Sequence, residues 1–224
     1  MIGDARVGWR VWTSRALVAL GLGCLIFYSV VTVQAWRYQR AAKSRVEQMI
    51  SVERPSVERP SIERASAAAV YVPDVTKPLA IGEIIGRVDI PRLKLSAAVA
   101  EGDDDKTLGK AVGHLPDTPL PWHRRGNVAL AAHRDGLFRS LEGIRLNDDV
   151  RVVTSRGEFH YRVTKTHIVD PDDVWVIAPT DTPTITLITC YPFSFVGNAP
   201  RRFIVQAELL DDLGGKPLAG SVVR

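Results

Sequence analysis

Between Ala16 and Ala35 the chain reads ALVALGLGCLIFYSVVTVQA, twenty residues without a charge. A peptide in hydrocarbon has no water to satisfy its amides, so such a run must satisfy them internally as an α-helix. About twenty residues at ~1.5 Å each span a bilayer core. Residues 16–36 therefore read as a transmembrane anchor. A cleaved signal peptide is the alternative, because Val33-Gln34-Ala35 resembles a small-residue cleavage site, although the apolar run exceeds the roughly 7 to 15 residues usual in such peptides. Arg6, Arg10 and Arg15 precede the segment while Arg37, Arg40, Lys43 and Arg45 follow it, so positive charge selects no orientation. Trp9, Trp12, Trp36 and Tyr38 flank both ends and suit the two interfaces.

The net charge of +4 is no sign of nucleic-acid binding. The excess of Arg and Lys over Asp and Glu lies in the first 65 residues beside the apolar run, and the basic run His123 to Arg125 lacks interleaved aromatics. From Ser51 to Ala65 the sequence repeats SVERP, SVERP, SIERA. Pro55 and Pro60 exclude a continuous helix there, and alternating Glu-Arg pairs with Ser and Pro build no core. The organisation expected is a short segment 1–15, an anchor 16–36, a stalk 37–78, a globular domain 79–210 and a tail 211–224.

After Ile81 the texture changes to short β-rich runs separated by Gly, Pro and Asp: GRVDIPRLKL, AAVAEG and GNVALAAH. Asp149 to Val169 alternates as two strands joined near Arg156-Gly157, a hairpin, and TITLIT and RFIVQAEL add two more strands. One short helix is expected around Leu137 to Gly143. The fold class is all-β, a barrel that closes its own edges.

Cys190 ends the strand TITLITC at a Tyr-Pro step, a position from which a side chain reaches a barrel rim. The other cysteine, Cys24, lies in the anchor, so Cys190 has no intramolecular partner and is a buried inert thiol, an intermolecular bridge or a reactive one. His133 ends the apolar run NVALAAH. His114 and His123 fall in Pro-rich loops, and His160 and His167 in the hairpin. Arg201 and Arg202 open the last strand. Cys, His and Arg together supply a nucleophile, a proton carrier and a fixed cation for a developing oxyanion.

These residues resemble the sortase family, the membrane-anchored cysteine transpeptidases of bacterial surfaces. Thr186-Leu187-Ile188-Thr189-Cys190 matches its TLxTC signature, Gly126-Asn127-Val128 through His133-Arg134 its GN…H strand, and Arg202-Phe203-Ile204-Val205 its final strand. The resemblance covers Gly86 to Leu209, and Cys190-Tyr191-Pro192-Phe193 with Gly197-Asn198-Ala199-Pro200 is most similar to class D, including versions from Gram-negative bacteria. Ala132 and Asn147 stand where many members have Gly. The resemblance implies a closed barrel of about eight strands with one or two short helices behind an N-terminal transmembrane helix, an enzyme domain outside the cytoplasm, and three N-terminal arginines left inside. It implies catalytic roles for His133, Cys190 and Arg202, with Arg202 preferred to Arg201 by register. Its substrates are proteins carrying a C-terminal signal like Leu-Pro-x-Thr-Gly, and the acceptor is an amine of a cell-wall precursor or protein. No cofactor is required, although calcium could gather at Glu101 with Asp103, Asp104 and Asp105, or at Asp170, Asp172 and Asp173. The run Leu115-Pro116-Asp117-Thr118-Pro119 mimics a sorting signal by coincidence. A hydrolytic cysteine peptidase and a non-catalytic envelope module, zinc-binding or structural, are the rival readings; His114, His123 and His133 lack compact ligand spacing.

Overall fold

The uncharged N-terminal run lies inside one α-helix, α1 (Asp4–Val52, 49 residues). In the computed structural model, the residues described are 4–52, 78–195 and 197–210. The helix extends past both ends of the expected anchor, since Arg37 to Val52 contains neither Pro nor Gly to stop it. Leu17, Leu20, Ile26 and Phe27 are all exposed, as on a helix whose apolar surface faces lipid, and by length and composition α1 can cross a membrane. Most of the SVERP repeats and the tail 211–224 lie outside the described residues.

Eight strands form the second part: β1 (Ile84–Ile90), β2 (Leu95–Glu101), β3 (Val112–His114), β4 (Asn127–Ala131), β5 (Asp149–Thr154), β6 (Gly157–Val169), β7 (Thr184–Tyr191) and β8 (Arg201–Leu209). They close a barrel in the order β1-β2-β3-β4-β7-β8-β6-β5. The pairs β2–β3 and β4–β7 are parallel and the others antiparallel. A four-residue helix, α2 (Asp105–Leu108), follows β2, and the expected helix near Leu137 is a 3-10 turn at Arg139–Gly143. The β5–β6 hairpin closes at Thr154↔Gly157 with Gly157 at φ 129, a left-handed geometry that glycine adopts without steric cost. One face of each strand fills the interior: Val128 and Leu130 of β4, Ile185 and Leu187 of β7, Val205 and Ala207 of β8. Phe138 and Leu141 from the turn after β4 complete it. Ala132 also belongs to this core, so its side chain packs inward.

His114 departs from expectation. It lies in β3 rather than in a loop, 1% exposed, opposite Glu101 of β2. Its Nδ1 meets Glu101 Oε2 at 2.8 Å and its Nε2 faces Pro119 O at 3.2 Å. The Thr118 hydroxyl also lies 3.2 Å from His114 Nε2. The same hydroxyl accepts the β4 amide of Ala129 at 3.1 Å and donates to Leu115 O at 2.8 Å. The Pro-rich connection is thereby sewn to both β2 and β4, a pairing of distant residues that no local pattern announces.

A second polar anchor sits at the start of β5. Arg92 donates from two nitrogens to the buried Asp148 carboxylate, which also accepts the Arg145 amide at 2.8 Å. The Arg92 hydrogen bond holds Asp148 below the usual carboxylate range. Asn147 precedes it at φ 68, in the left-handed region that asparagine is among the side chains to tolerate.

Two outcomes are expected. His114→Ala leaves the Glu101 carboxylate buried without its partner and lowers the unfolding free energy by about 3–5 kcal/mol in denaturant titration followed by tryptophan fluorescence. Because the folded pKa of Asp148 is depressed, its contribution is complete above the ordinary carboxylate pKa of about 4 and is lost as pH falls through the lower folded value. Asp148→Asn is therefore expected to flatten the acid limb of the stability profile.

Candidate active site

Residues that pair directly across neighbouring strands project to the same side of a sheet. Since Ile185 and Leu187 point inward, Thr186, Ile188 and Cys190 point out. In β8 the outward set is Arg202, Ile204 and Gln206, and the register pairs Cys190↔Arg202 and Ile188↔Ile204. Arg201 pairs with Tyr191 instead, and its side chain reaches Asp170 at 3.8 Å. On the other flank β4 runs parallel to β7 through Ala131↔Ile188. Two further bonds carry that register onward: the Ala132 amide donates to Ile188 O at 3.2 Å, and the Thr189 hydroxyl donates to Ala132 O at 2.7 Å. The next residue, His133, comes level with Cys190 on the outer face. His133, two residues past the end of β4, thus falls in one row with Cys190 of β7 and Arg202 of β8, from chain positions almost seventy residues apart.

Cys190 is half-buried and a free thiol, His133 is exposed and Arg202 is half-buried. Arg202 Nη1 donates to the carbonyls of Ala199 at 3.3 Å and Arg201 at 3.1 Å, which hold the guanidinium at the strand start. The His133 carbonyl accepts the amides of Gly136 and Phe138, each at 3.2 Å. As Phe138 is fully buried, the backbone that carries the imidazole is tied to the barrel core.

The row is bounded on two sides. On one, the β6–β7 connection folds back as a 3-10 turn (Val174–Ile177). Val176 packs with Val169 and Ile204, with Ile188 alongside, in a small apolar cluster outside the barrel. The Val176 carbonyl accepts from Asn127 Nδ2 at 2.9 Å, Gln206 Nε2 at 3.3 Å and the Thr186 hydroxyl at 3.4 Å, one donor from each strand beneath. Thr186 also donates to Asn127 Oδ1 at 2.7 Å. On the other side is the β7–β8 loop, whose root is fixed by Phe193 against Phe203, ring centroids 5.3 Å apart. In sequence Asn127, Thr186 and Gln206 stand out only as parts of motifs or strands. The signal that marks them is a polar residue recurring on the outward side of strands whose other side is aliphatic.

The remaining candidates are engaged elsewhere. Glu101 is paired with His114, and Asp104 caps α2, accepting the amides of Lys106 and Thr107 at 3.0 and 3.2 Å and the Thr107 hydroxyl at 2.6 Å. The Thr107 hydroxyl is the first cause of the depressed Asp104 pKa. Asp173 accepts the Asp170 amide at 2.9 Å. Among the described residues no three His, Cys, Asp or Glu side chains are grouped to hold a metal, so the acidic runs considered for calcium are not brought together. His123 is exposed and accepts the Leu120 amide at 3.3 Å. Leu115 to Pro119 forms a turn whose Thr118 is part of the His114 network.

Residues 88–210 match the sortase domain. Sortase D of Bacillus subtilis (strain 168) is 39% identical over 128 residues, 57% of this chain and 64% of that protein, so the match spans less than two thirds of the relative. A Clostridium perfringens sortase D5 transpeptidase superposes with a TM-score of 0.54 at 26% identity, over 59% of this chain and 82% of that one. The structure of Clostridium perfringens sortase C with the C-terminal cell wall sorting motif gives a TM-score of 0.54 at 26% identity, over 59% and 74% of the two chains.

Asn127→Ala removes two donors to the β6–β7 connection and the acceptor for Thr186. A loss of about 1–3 kcal/mol is expected, with faster amide hydrogen exchange at Val174–Ile177 as the local readout.

Proposed function

The chain belongs to the sortase family, and on that premise we propose that it is a membrane-anchored cysteine transpeptidase of the class D type. It cleaves a C-terminal sorting signal like Leu-Pro-x-Thr-Gly after Thr and passes the acyl group to an amine. The observation that carries this reading is the outer-face row of His133, Cys190 and Arg202.

The chemistry follows from that row. The Cys190 thiolate attacks the Thr carbonyl carbon, and the Arg202 guanidinium faces the oxygen on which negative charge develops. As the tetrahedral intermediate collapses, the C–N bond breaks and His133 as imidazolium protonates the departing amine, leaving a thioester on Cys190. The now neutral imidazole takes a proton from the incoming amine, which attacks the thioester and releases the Cys190 thiolate, restoring the starting pair. No step calls for a metal. The register supports Arg202 over Arg201, since a residue on the opposite side of β8 cannot face the same oxyanion. The acceptor is a cell-wall precursor or another protein. Helix α1 supports anchoring of the enzyme as a single-pass protein, and the likeness to sortases supports a barrel outside the cytoplasm. The Clostridium sortase C structure bears such a motif, which supports the same substrate class here.

Incubation of the protein with Leu-Pro-x-Thr-Gly and Leu-Pro-x-Thr-Ala peptides, with and without an added amine, tests the reading by intact mass spectrometry. An acyl adduct is expected on the wild type and none on Cys190→Ala, with conversion to an amide product when amine is present. Release by water alone identifies a hydrolytic peptidase instead. Arg202→Ala is expected to slow acylation about 10²–10³-fold and His133→Ala about 10²–10⁴-fold, whereas Arg201→Ala stays within about threefold because its side chain is exposed and its ion pair with Asp170 lies at the surface. Equal losses at Arg201 and Arg202 would reject the register argument.

A further inference from the structure

Arg134, the residue next to His133, reaches away from its own turn. Its Nη2 donates to the carbonyl of Phe195 at 2.7 Å and to that of Gly197 at 2.8 Å, and its guanidinium lies 5.9 Å from the centroid of the Phe195 ring. These are carbonyls from the middle of the β7–β8 loop, the segment that leaves Cys190 and returns at Arg202. Each end of the link is itself held. The His133 carbonyl is bound by the amides of Gly136 and Phe138, and Phe193 is buried against the barrel core. One half-buried cation therefore joins the turn that carries the imidazole to the loop that connects the thiol with the second arginine.

We propose that Arg134 is a positioning residue that fixes the β7–β8 loop as the wall of the acceptor subsite, and so governs whether the acyl enzyme is resolved by an amine or by water. This rests on the transpeptidase reading. In that reaction His133 protonates the departing amine and later deprotonates the incoming one, so both amines occupy the space beside the imidazole. In this reading the acyl portion of the substrate is left the remaining side of the row, toward the Val174–Ile177 turn. The Arg134 link is on the imidazole side, adjoining the space that the departing amine vacates. Two charge-assisted hydrogen bonds from one nitrogen to two carbonyls are also more directional than a single neutral hydrogen bond. Loss of the tie removes two bonds from the middle of the loop, which blurs the position of an incoming amine while a water molecule, needing no such wall, still reacts.

The test uses the full chain in detergent, comparing wild type, Arg134→Ala and Arg134→Lys. Acylation is followed by intact mass spectrometry with the Leu-Pro-x-Thr-Gly peptide, and partition of the acyl enzyme by the ratio of amide to hydrolysis product over a triglycine titration. For Arg134→Ala the acylation rate is expected to stay within about threefold, while the triglycine concentration that divides the acyl enzyme equally rises about tenfold; Arg134→Lys, which keeps the charge on a shorter side chain, recovers only part of this. An unchanged partition, or a tenfold loss of acylation with unchanged partition, overturns the proposal. Hydrogen exchange of the amides between Phe193 and Arg201 needs no substrate. Faster exchange in Arg134→Ala is expected and unaltered exchange overturns the tie, even if no peptide acylates the wild type, an outcome that counts against the transpeptidase reading itself.

Discussion

Everything about the candidate site hangs on strand register. With a side-chain period of two, a slip of one residue between β7 and β8 would turn Cys190 or Arg202 to the other side of the sheet and at the same time drive Ile185 and Leu187 out of the core. The burial of these aliphatic side chains, each worth about 1.5–3 kcal/mol, opposes such a slip. The same hydrophobic alternation that closes the barrel thus sets a thiol opposite a guanidinium. Polar bonds add to it at the strand end: the Thr189 hydroxyl on Ala132 O couples β7 to β4 at the last step before the imidazole.

Around this row, polar side chains are directed at backbone carbonyls of loops. The Val176 carbonyl takes donors from Asn127, Thr186 and Gln206, and the Phe195 and Gly197 carbonyls take Arg134. Loops lack the ladder that satisfies strand backbone, so a carbonyl turned toward the barrel needs a side-chain donor or water. Donors rooted in rigid strands or in a core-tied turn give two loops a defined place on either side of the thiol. The buried Glu101–His114 pair acts in a related way. It joins β2 to the connection that leads into β4, and hence supports the strand that ends at His133.

Several elements are legible in the order of the residues. The alternation in Asp149 to Val169 predicts a hairpin, which forms, and the runs at TITLIT and RFIVQAEL are β7 and β8. The uncharged run is helical, although α1 continues well beyond the segment needed to span a bilayer, because nothing in residues 37–52 interrupts it. The short strand β3 is not visible in this way: three residues carry no measurable period, and His114 between Gly and Leu looks like part of the Pro-rich loop until Glu101 is seen opposite it. The acidic runs that suggest calcium resolve into a helix cap, a local turn and a buried pair, since whether carboxylates converge depends on backbone direction and not on their number.

Residue order alone is enough for the class of the fold, the helical N-terminal segment and the short set of residues able to carry nucleophilic chemistry, because periodicity, charge and motif are properties of neighbours along the chain. It cannot choose between two adjacent arginines except by likeness to relatives. Nor can it indicate that Arg134 reaches across to another loop or that Asn127 holds a turn some fifty residues away. Those contacts exist only once parallel and antiparallel pairings of distant strands have closed. They belong to the folded barrel because the pairing of strands remote in sequence is set by burial summed over all eight of them, a quantity no local window contains.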